Sequence, residues 1–160
     1  MMSILRLRIP AVLTLAASIG ACSLDVNENI PPAVSVEEQQ WAPGLNIDLA
    51  TMTKLASGVY IKDNVIGTGT AVSGTPTVRF YYSGYLASGV QFDSNVGQPQ
   101  PLEYGLAELI AGFSSGLQGM QVGGKRRLII PSALAYGPGG QGPVPPNANL
   151  VFDIELVGVI

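Results

Sequence analysis

One carboxylate in this sequence is flanked by aromatic side chains and a hairpin turn. The stretch YYSGYLASGVQFDSN, residues 81–95, has two apolar runs around an ASG turn, and the second run ends with Phe92 and Asp93. Tyr82 lies on the first run, and its hydroxyl needs a hydrogen-bond partner that Asp93 can supply. A solvated surface acid is one interpretation of Asp93. The other is a carboxylate held at the mouth of an aromatic pocket.

The residue types that the chain lacks narrow its chemistry. Its 160 residues contain no histidine and one cysteine, Cys22. These counts exclude histidine-based triads, a histidine proton shuttle, most zinc sites and thiol redox chemistry. We therefore predict no metal site and no cofactor. Function must come from aromatic, aliphatic and carboxylate side chains.

Residues 1–21 are predicted to be a signal peptide. Arg6 and Arg8 precede an apolar run, residues 9–19, that is too short to span a bilayer. The run ends in IGAC, which resembles a bacterial lipobox, so Cys22 is predicted to carry palmitate-type acyl chains on its thiol and to become the new N-terminus. The alternative is an ordinary signal peptide followed by a free thiol. Ser23 resembles the pattern for sorting to the outer membrane, facing the periplasm, in a host with two membranes.

Residues 22–50 are predicted to be the lipidated cysteine and a flexible tether. They contain Pro31-Pro32 and show no sustained hydrophobic period. A flexible chain of this length would reach about 30 Å. Trp41 stands out in it, and the sequence leaves open whether Trp41 docks on the domain or sits at the membrane interface.

The net charge of the chain does not indicate a nucleic-acid-binding protein. The whole chain has a net charge of −3, and without residues 1–21 it is −5. A mildly acidic domain lacks the basic surface that nucleic acid requires. The run Lys125–Arg127 is interpreted as a solvated strand end.

From about residue 51 the apolar residues alternate as in β-strands, so we assign the domain to residues 51–160. Strands are predicted at residues 58–66, 77–86, 90–93, 125–131 and 149–160. One stripe has a helical period instead: Leu106, Leu109, Ile110, Phe113, Leu117 and Met120. Its glycines weaken this helix, which must therefore pack on the sheet. About five antiparallel strands and one short helix predict an α+β domain.

The order of the motifs resembles the FKBP-type peptidyl-prolyl cis/trans isomerases. The motifs are, in order, YYSGYL, SGVQFDSN, ELIAGFSSGLQGMQVGGKRRLIIP, SALAYG and PPNANLVFDIEL. Each motif alone is weak, but five in family order over residues 55–160 are specific. The resemblance implies an antiparallel β-sheet wrapped around one short α-helix, with a hydrophobic cleft between them.

The resemblance also assigns cleft residues by position. It implies catalytic residues Tyr82, Asp93 and Tyr136, and substrate-binding residues Phe92, Leu102, Leu109, Ile110, Phe113, Val144 and Phe152. It implies that the Ile110 N–H and the Tyr136 hydroxyl donate to substrate carbonyls. Asp93, held by Tyr82, would face the carbonyl carbon of the rotating bond. It would orient the substrate and act electrostatically, because bond rotation transfers no proton.

Three departures from the family pattern surround the expected cleft. The floor residue is usually tryptophan and here is Phe113. The segment 102–110 is shorter than the common pattern and lacks its usual glycine pair. The loop 138–148 is also shorter and carries extra prolines. None of the three touches the core framework.

The function that the resemblance implies is prolyl isomerisation during the folding of exported proteins in a bacterial cell envelope. Its partners would be X-Pro segments of those proteins and the membrane, and the family's macrolide ligands are expected to bind. We expect a monomer, because residues 23–50 contain no long dimerising helix. One alternative is a non-catalytic peptide-binding or chaperone module on the same fold. Another is a structural envelope lipoprotein with a vestigial cleft.

Overall fold

The structure is a computed structural model that describes residues 30–160. The predicted signal peptide and the predicted lipidation site, Cys22, lie outside the described residues. Within residues 30–160, no helix combines the length and the apolar character needed to cross a bilayer.

Seven antiparallel strands form a single sheet. They are β1 (Thr53–Lys54), β2 (Tyr60–Val65), β3 (Thr77–Leu86), β4 (Gln91–Ser94), β5 (Leu102–Gly105), β6 (Lys125–Ile130) and β7 (Leu150–Val159). The strand order is β1-β2-β6-β7-β3-β4, and β5 also pairs with β3. The predicted α+β class and the five predicted strands are confirmed. Strands β1 and β5 were not predicted, because two to four residues are too few to display a period of two.

Strand β3 pairs with three other strands of the sheet. It pairs with β7 from Val78 to Leu86, and its other edge is shared by β5 at its start and β4 at its end. Its alternation follows the sequence prediction, since Val78 and Phe80 are buried on the inner face. The inner face therefore brings β4, β5 and β7 to one end of the core.

The single α-helix is shorter than its hydrophobic stripe suggested. Helix α1 spans Ala111–Leu117, and residues 106–108 form a separate 3₁₀ turn. Leu109 and Ile110 between them are extended, with ψ of 161° and 145°. The Ser114 hydroxyl donates to the Leu106 carbonyl at 2.5 Å. A side chain of α1 therefore satisfies this carbonyl, which belongs to the 3₁₀ turn and not to α1. The break leaves Leu109 and Ile110 on an extended segment.

Glycines let α1 lie directly on the sheet. A Cβ added at Gly112 would be 2.1 Å from Cγ2 of Ile130, and one at Gly116 would be 2.7 Å from Cδ1 of Leu128. Both partners belong to β6 and are fully buried. The two glycines lower the intrinsic helix propensity of α1, but they allow the helix to pack closely on the sheet, as the sequence predicted.

The N-terminal segment, residues 30–52, covers the outer face of the sheet. Val36 and Leu45 form a second hydrophobic cluster with Tyr60, Ile129 and Val151. The strands therefore bury apolar side chains on both faces. From Ile30 onward the structure differs from the predicted flexible tether, because apolar residues of this segment occupy the outer surfaces of β2, β6 and β7.

Polar contacts fasten the same segment. Glu37 accepts hydrogen bonds from Lys54 Nζ and from the Tyr60 hydroxyl, each at 2.5 Å. These two bonds lower the pKa of the Glu37 carboxyl to about 2. Half-buried Trp41 packs on the second cluster and donates from Nε1 to the Val36 carbonyl at 3.3 Å. Its place is therefore on the domain.

Two cations of the run Lys125–Arg127 are not solvated, and that prediction is wrong. Arg126 is 5% exposed, forms a bidentate pair with Asp63 and donates to the carbonyls at the end of α1. Arg127 forms a bidentate pair with Asp153 and donates to the Leu45 carbonyl. The sheet places one guanidinium on each face. Arg126 thus joins α1 to β2, and Arg127 joins the N-terminal segment to β7.

The packed N-terminal segment makes a stability prediction. Leu45 is 5% exposed, so Leu45→Ala should lower the free energy of unfolding by about 2–4 kcal/mol in urea denaturation. Ile66→Ala is the control, because Ile66 is 77% exposed and its truncation should change stability by less than about 0.5 kcal/mol. An equal, small effect of both substitutions would mean that residues 30–52 do not contribute to the folded domain.

Candidate functional site

A cleft of about 420 Å³ opens between α1 and the inner face of the sheet. Its volume lies within the range of small-ligand and peptide pockets. The lining residues are Phe80, Tyr82, Phe92, Asp93, Leu102, Tyr104, Glu108, Leu109, Ile110, Phe113, Tyr136, Gln141 and Phe152. Nine of the ten cleft residues that the sequence indicated are therefore brought together.

Aromatic rings form the floor and one wall of this cleft. Phe113, from α1, lies with its ring centroid 5.3 Å from Phe152 in an edge-to-face contact and 5.2 Å from Phe80. Phe92 makes a second edge-to-face contact with Phe152, at 5.7 Å. Phe113 and Phe152 are each 4% exposed, whereas Phe92 is half-buried. Mutual packing fixes the rings, so the cleft presents a rigid apolar surface.

The wall formed by Phe92 and Phe152 depends on the absence of a side chain at Gly84. A Cβ there would be 2.7 Å from Cζ of Phe92 and 2.9 Å from Cε1 of Phe152. Gly84 pairs with Asp93 on one side and with Phe152 on the other. Both rings therefore fold over the glycine, a constraint visible in the sequence only as the G of YYSGY.

The Tyr82 hydroxyl donates a short hydrogen bond to Asp93 Oδ2 at the cleft. Asp93 Oδ1 accepts from the Ser94 N–H at 2.9 Å, so both carboxylate oxygens are held. The Tyr82 ring meets Phe113 edge-on at a centroid distance of 6.3 Å. The carboxylate thus sits in a fixed orientation beside the aromatic floor. Asp93 is itself exposed, and it lines the aromatic cleft.

The two residues after Asp93 position this pair. Asn95 is buried, accepts from the Tyr82 N–H at 2.7 Å and donates to the Phe80 carbonyl at 3.1 Å. The Ser94 hydroxyl and the Asn95 N–H both donate to the Tyr82 carbonyl. Four hydrogen bonds therefore tie the end of β4 to the backbone around Tyr82. The sequence analysis did not predict these hydrogen bonds. The residues that form them, Ser94 and Asn95, are the last two of the FDSN motif.

Tyr136 and Ile110 also line the cleft. Burial, and then the charge of Asp93, raises the pKa of the Tyr136 phenol, so its hydroxyl remains a donor at neutral pH. Among residues 30–160 no backbone carbonyl accepts from the Ile110 N–H. Ile110 ends the extended segment that precedes α1, and it lines the cleft. Tyr136 and Ile110 therefore place two hydrogen-bond donors among the residues that line the cleft.

Val144 differs from its predicted place. It is 4% exposed and belongs to the core below the rim, outside the lining residues. Val144 exchanges two backbone hydrogen bonds with Gln141, and Gln141 lines the cleft instead. The conformation of the loop around residues 141–144 determines where Val144 lies. Hydrophobic periodicity does not predict loop conformations. Tyr104 and Glu108 also line the cleft, and both are exposed.

A second groove, of about 540 Å³, lies on the outer face of the sheet. It is larger than the cleft, but its charged walls are already neutralised. Lys125 pairs with Glu155 at 3.0 Å and Arg127 pairs with Asp153 at 2.7 Å. The aromatic cleft, with free donors and a fixed carboxylate, is the better candidate site. Within residues 30–160, no group of three or more acidic or cysteine side chains could hold a metal ion.

The cleft makes a pH prediction through Tyr82. Burial, and then the hydrogen bond to Asp93, raises the pKa of the Tyr82 phenol well above its usual 10.0. The folded state therefore holds this proton more tightly than the unfolded chain does. The resulting stability is fully present below about pH 10 and is lost as the pH rises through the pKa of the folded state.

Tyr82→Phe should therefore lose less stability than the parent protein between pH 8 and pH 11, measured by urea denaturation at both values. Tyr81→Phe removes a phenol from the other face of β3 and controls for loss of a tyrosine in general. Identical alkaline losses in the parent and in Tyr82→Phe would contradict the assigned cause.

Comparison with known proteins shows which family this chain resembles. A family model described as "FKBP-type peptidyl-prolyl cis-trans isomerase" matches residues 67–157. The FKBP-type peptidyl-prolyl cis-trans isomerase FkpA of Aeromonas hydrophila is 41% identical over 103 residues, which cover 64% of this chain and 38% of that protein. FK506-binding protein 4 of Dictyostelium discoideum is 43% identical over 109 residues, 68% of this chain and 30% of that protein. The chain thus spans about a third of the length of these curated relatives.

Solved structures agree with the sequence relatives. A crystal structure of a peptidyl-prolyl cis-trans isomerase from Pseudomonas syringae is 38% identical, with a TM-score of 0.63, and the match covers 68% of this chain and 80% of that one. The crystal structure of FkpA from Escherichia coli is 37% identical with a TM-score of 0.65, over 68% of this chain and 51% of that one. Given the family match, these relatives and the aromatic cleft that carries Tyr82 and Asp93, the chain belongs to the FKBP-type peptidyl-prolyl cis-trans isomerase family.

Proposed function

We propose that this protein catalyses cis/trans isomerisation of X-Pro peptide bonds in its aromatic cleft. The observation that carries the proposal is the Tyr82–Asp93 pair, fixed beside the buried ring of Phe113. Membership of the family supports it. The uncatalysed reaction crosses a barrier of about 18–20 kcal/mol and takes tens to hundreds of seconds.

The cleft suits a reaction in which no bond breaks and no proton moves. The planar amide carries negative charge on its carbonyl oxygen, which water stabilises, and twisting removes that charge separation. A dry cleft therefore destabilises the planar form more than the twisted form. We assign the proline ring to the surface of Phe113, with Phe92, Ile110 and Phe152 excluding water.

Polar groups at the rim orient the substrate in this proposal. The Ile110 N–H and the Tyr136 hydroxyl donate to substrate carbonyls on either side of the proline. The carboxylate of Asp93 faces the carbonyl carbon of the rotating bond, which is more electrophilic once resonance is lost. Tyr82 fixes that carboxylate, and it is a positioning residue for it. Fixed groups contribute most, since they need not reorganise during the reaction.

Asp93→Asn should lower kcat/KM for an Ala-Leu-Pro-Phe peptide about tenfold, because it keeps the shape of the side chain but removes its charge. The measurement is NMR exchange spectroscopy of the peptide, with circular dichroism to verify folding. Asp48→Asn is the control, since Asp48 caps a turn of the N-terminal segment far along the chain and outside the cleft.

Two outcomes would change the assignment. Equal catalysis by the parent and by Asp93→Asn would retain the isomerase and remove the electrostatic contribution of Asp93. A folded parent protein without catalysis would leave a peptide-binding or chaperone module on an FKBP fold, for which the substitution of the usual tryptophan by Phe113 gives a physical reason.

We further propose that the mature protein is a lipoprotein of a bacterial cell envelope that acts on exported proteins as a monomer. The IGAC sequence before the single cysteine, Cys22, supports the anchor. In a host with two membranes, Ser23 favours the outer membrane, facing the periplasm. Macrolide ligands of the family are candidates for the same cleft, because its aromatic floor and walls are present.

Cys22→Ala should abolish incorporation of labelled palmitate and move the protein from the membrane fraction to the soluble fraction after expression in a bacterial host. Ser23→Ala keeps the thiol and should retain the label, which makes it the control. Membrane association that survives Cys22→Ala would exclude the lipid as the anchor.

A further inference from the structure

Tyr136 lies between two short turns and outside the strands and the α-helix. One 3₁₀ turn, Ser132–Leu134, precedes it, and another, Gly137–Gly139, follows it. The backbone of Tyr136 itself, with φ of −105° and ψ of 0°, has the conformation of a turn residue. The place of its phenol in the cleft lining therefore depends on the contacts that hold these two turns.

Two asparagines, Asn147 and Asn149, each hold one of these turns. The Ser132 N–H donates to Oδ1 of Asn149 at 3.0 Å, and the Asn147 N–H donates to the Gly137 carbonyl at 2.8 Å. Asn149 and Ser132 are both buried, so water does not compete for their contact. One buried side chain and one backbone hydrogen bond thus fix the chain before and after Tyr136.

The side chains of the same two asparagines bind the N-terminal segment. Asn147 donates from Nδ2 to the Pro31 carbonyl at 2.7 Å. Asn149 donates from Nδ2 to the Val34 carbonyl at 2.9 Å and to Oε1 of Gln39 at 3.2 Å. Each asparagine therefore joins the N-terminal segment to one of the two turns beside the cleft.

These contacts account for the residue type at both positions. Asn149 uses its amide oxygen toward Ser132 and its amide nitrogen toward the N-terminal segment, and an aspartate could not donate in this way. An apolar side chain there would leave the buried Ser132 N–H without its acceptor. The backbone at Asn147 is left-handed, with φ of 56°, a conformation in which asparagine is enriched among residues other than glycine.

We propose that Asn147 and Asn149 are positioning residues for Tyr136, so that the packed N-terminal segment is part of the substrate-binding structure. The inference rests on the proposed isomerase function, in which the Tyr136 hydroxyl donates to a substrate carbonyl. With the segment bound, both turns are fixed and the phenol stays in the cleft lining. Loss of a bond to the segment frees a turn, and the hydroxyl is then less often in the orientation that binds substrate.

Asn147→Gly removes only the side-chain bond to the N-terminal segment. Glycine adopts the left-handed backbone freely and keeps the N–H that donates to Gly137. We expect kcat/KM for Ala-Leu-Pro-Phe, measured by NMR exchange, to fall about threefold, the effect of weakening one hydrogen bond to the substrate. Asn46→Gly is the matched control, because Asn46 is also left-handed, with φ of 48°, but is exposed and outside the cleft. It should keep the parental value.

A double-mutant cycle with Tyr136→Phe tests whether the effect acts through the phenol. If Asn147 positions the Tyr136 hydroxyl, Asn147→Gly should change kcat/KM by less than about 1.5-fold once that hydroxyl is absent. A general loosening of the domain would lower kcat/KM by the same factor with and without the hydroxyl. That result would overturn the positioning role, since the two substitutions would then act independently.

A measurement without substrate separates this inference from the proposed function. Fluorotyrosine labels all six tyrosines, and the ¹⁹F resonance that disappears in Tyr136→Phe belongs to residue 136. Asn147→Gly should shift or broaden this resonance, and Asn149→Leu, which removes three hydrogen bonds, should do so more strongly. Asn46→Gly should leave it unchanged. Circular dichroism verifies folding, and Asn147→Gly alone decides if Asn149→Leu does not fold.

The ¹⁹F and kinetic results have separate consequences. A Tyr136 resonance that is the same in the parent and in Asn147→Gly would overturn the positioning role, and an active parent would still retain the isomerase. A changed resonance in a protein that turns over no peptide would retain the positioning role and reject the proposed function.

Discussion

The close approach of helix α1 to strand β6 is the constraint on which the site depends. Gly112 and Gly116 remove the side chains that would hold the helix away from Ile130 and Leu128. Phe113, between them in sequence, is thereby set at the floor of the cleft among the aromatic rings. Buried Arg126 then closes the end of the helix by donating to the carbonyls of Gly116 and of the C-cap residue, Gln118. An element with poor intrinsic helix propensity is thus specified by the sheet beneath it.

The cleft is a region of the core that the sheet leaves uncovered. Phe80 and Phe113 are buried and would serve any hydrophobic core, while Phe92 is half-buried and meets solvent at the edge of the same ring cluster. The hydrogen bonds of Ser94 and Asn95 keep β4 in register with β3, so the edge of the cluster does not collapse. Stability and binding therefore use the same rings, because the side chains that line the cleft are also packed in the core.

Elements with strong periodicity were predictable from the sequence. The ten-residue pattern of β3 and the alternation of β7 gave their bounds to within a residue. The helical stripe from Leu106 to Met120 was overextended, because periodicity cannot reveal that Leu109 and Ile110 are extended. Cleft residues carried by motif order were brought together, whereas Val144 and Gln141 exchanged places within a loop that has no period. Ion pairs such as Arg126–Asp63 join residues distant in sequence, so a local reading took the arginine as solvated.

The packed N-terminal segment limits how far the domain could lie from a lipid anchor at Cys22. Asn147 and Asn149 donate to the carbonyls of Pro31 and Val34, so the chain is already held at the domain there. If Cys22 carries the lipid, covalent geometry limits the distance between Cys22 and Pro31 to about 30 Å. The cleft would then sample a thin layer along the membrane rather than the volume of the compartment. Encounter with a client would depend on the surface density of unfolded chains at that membrane.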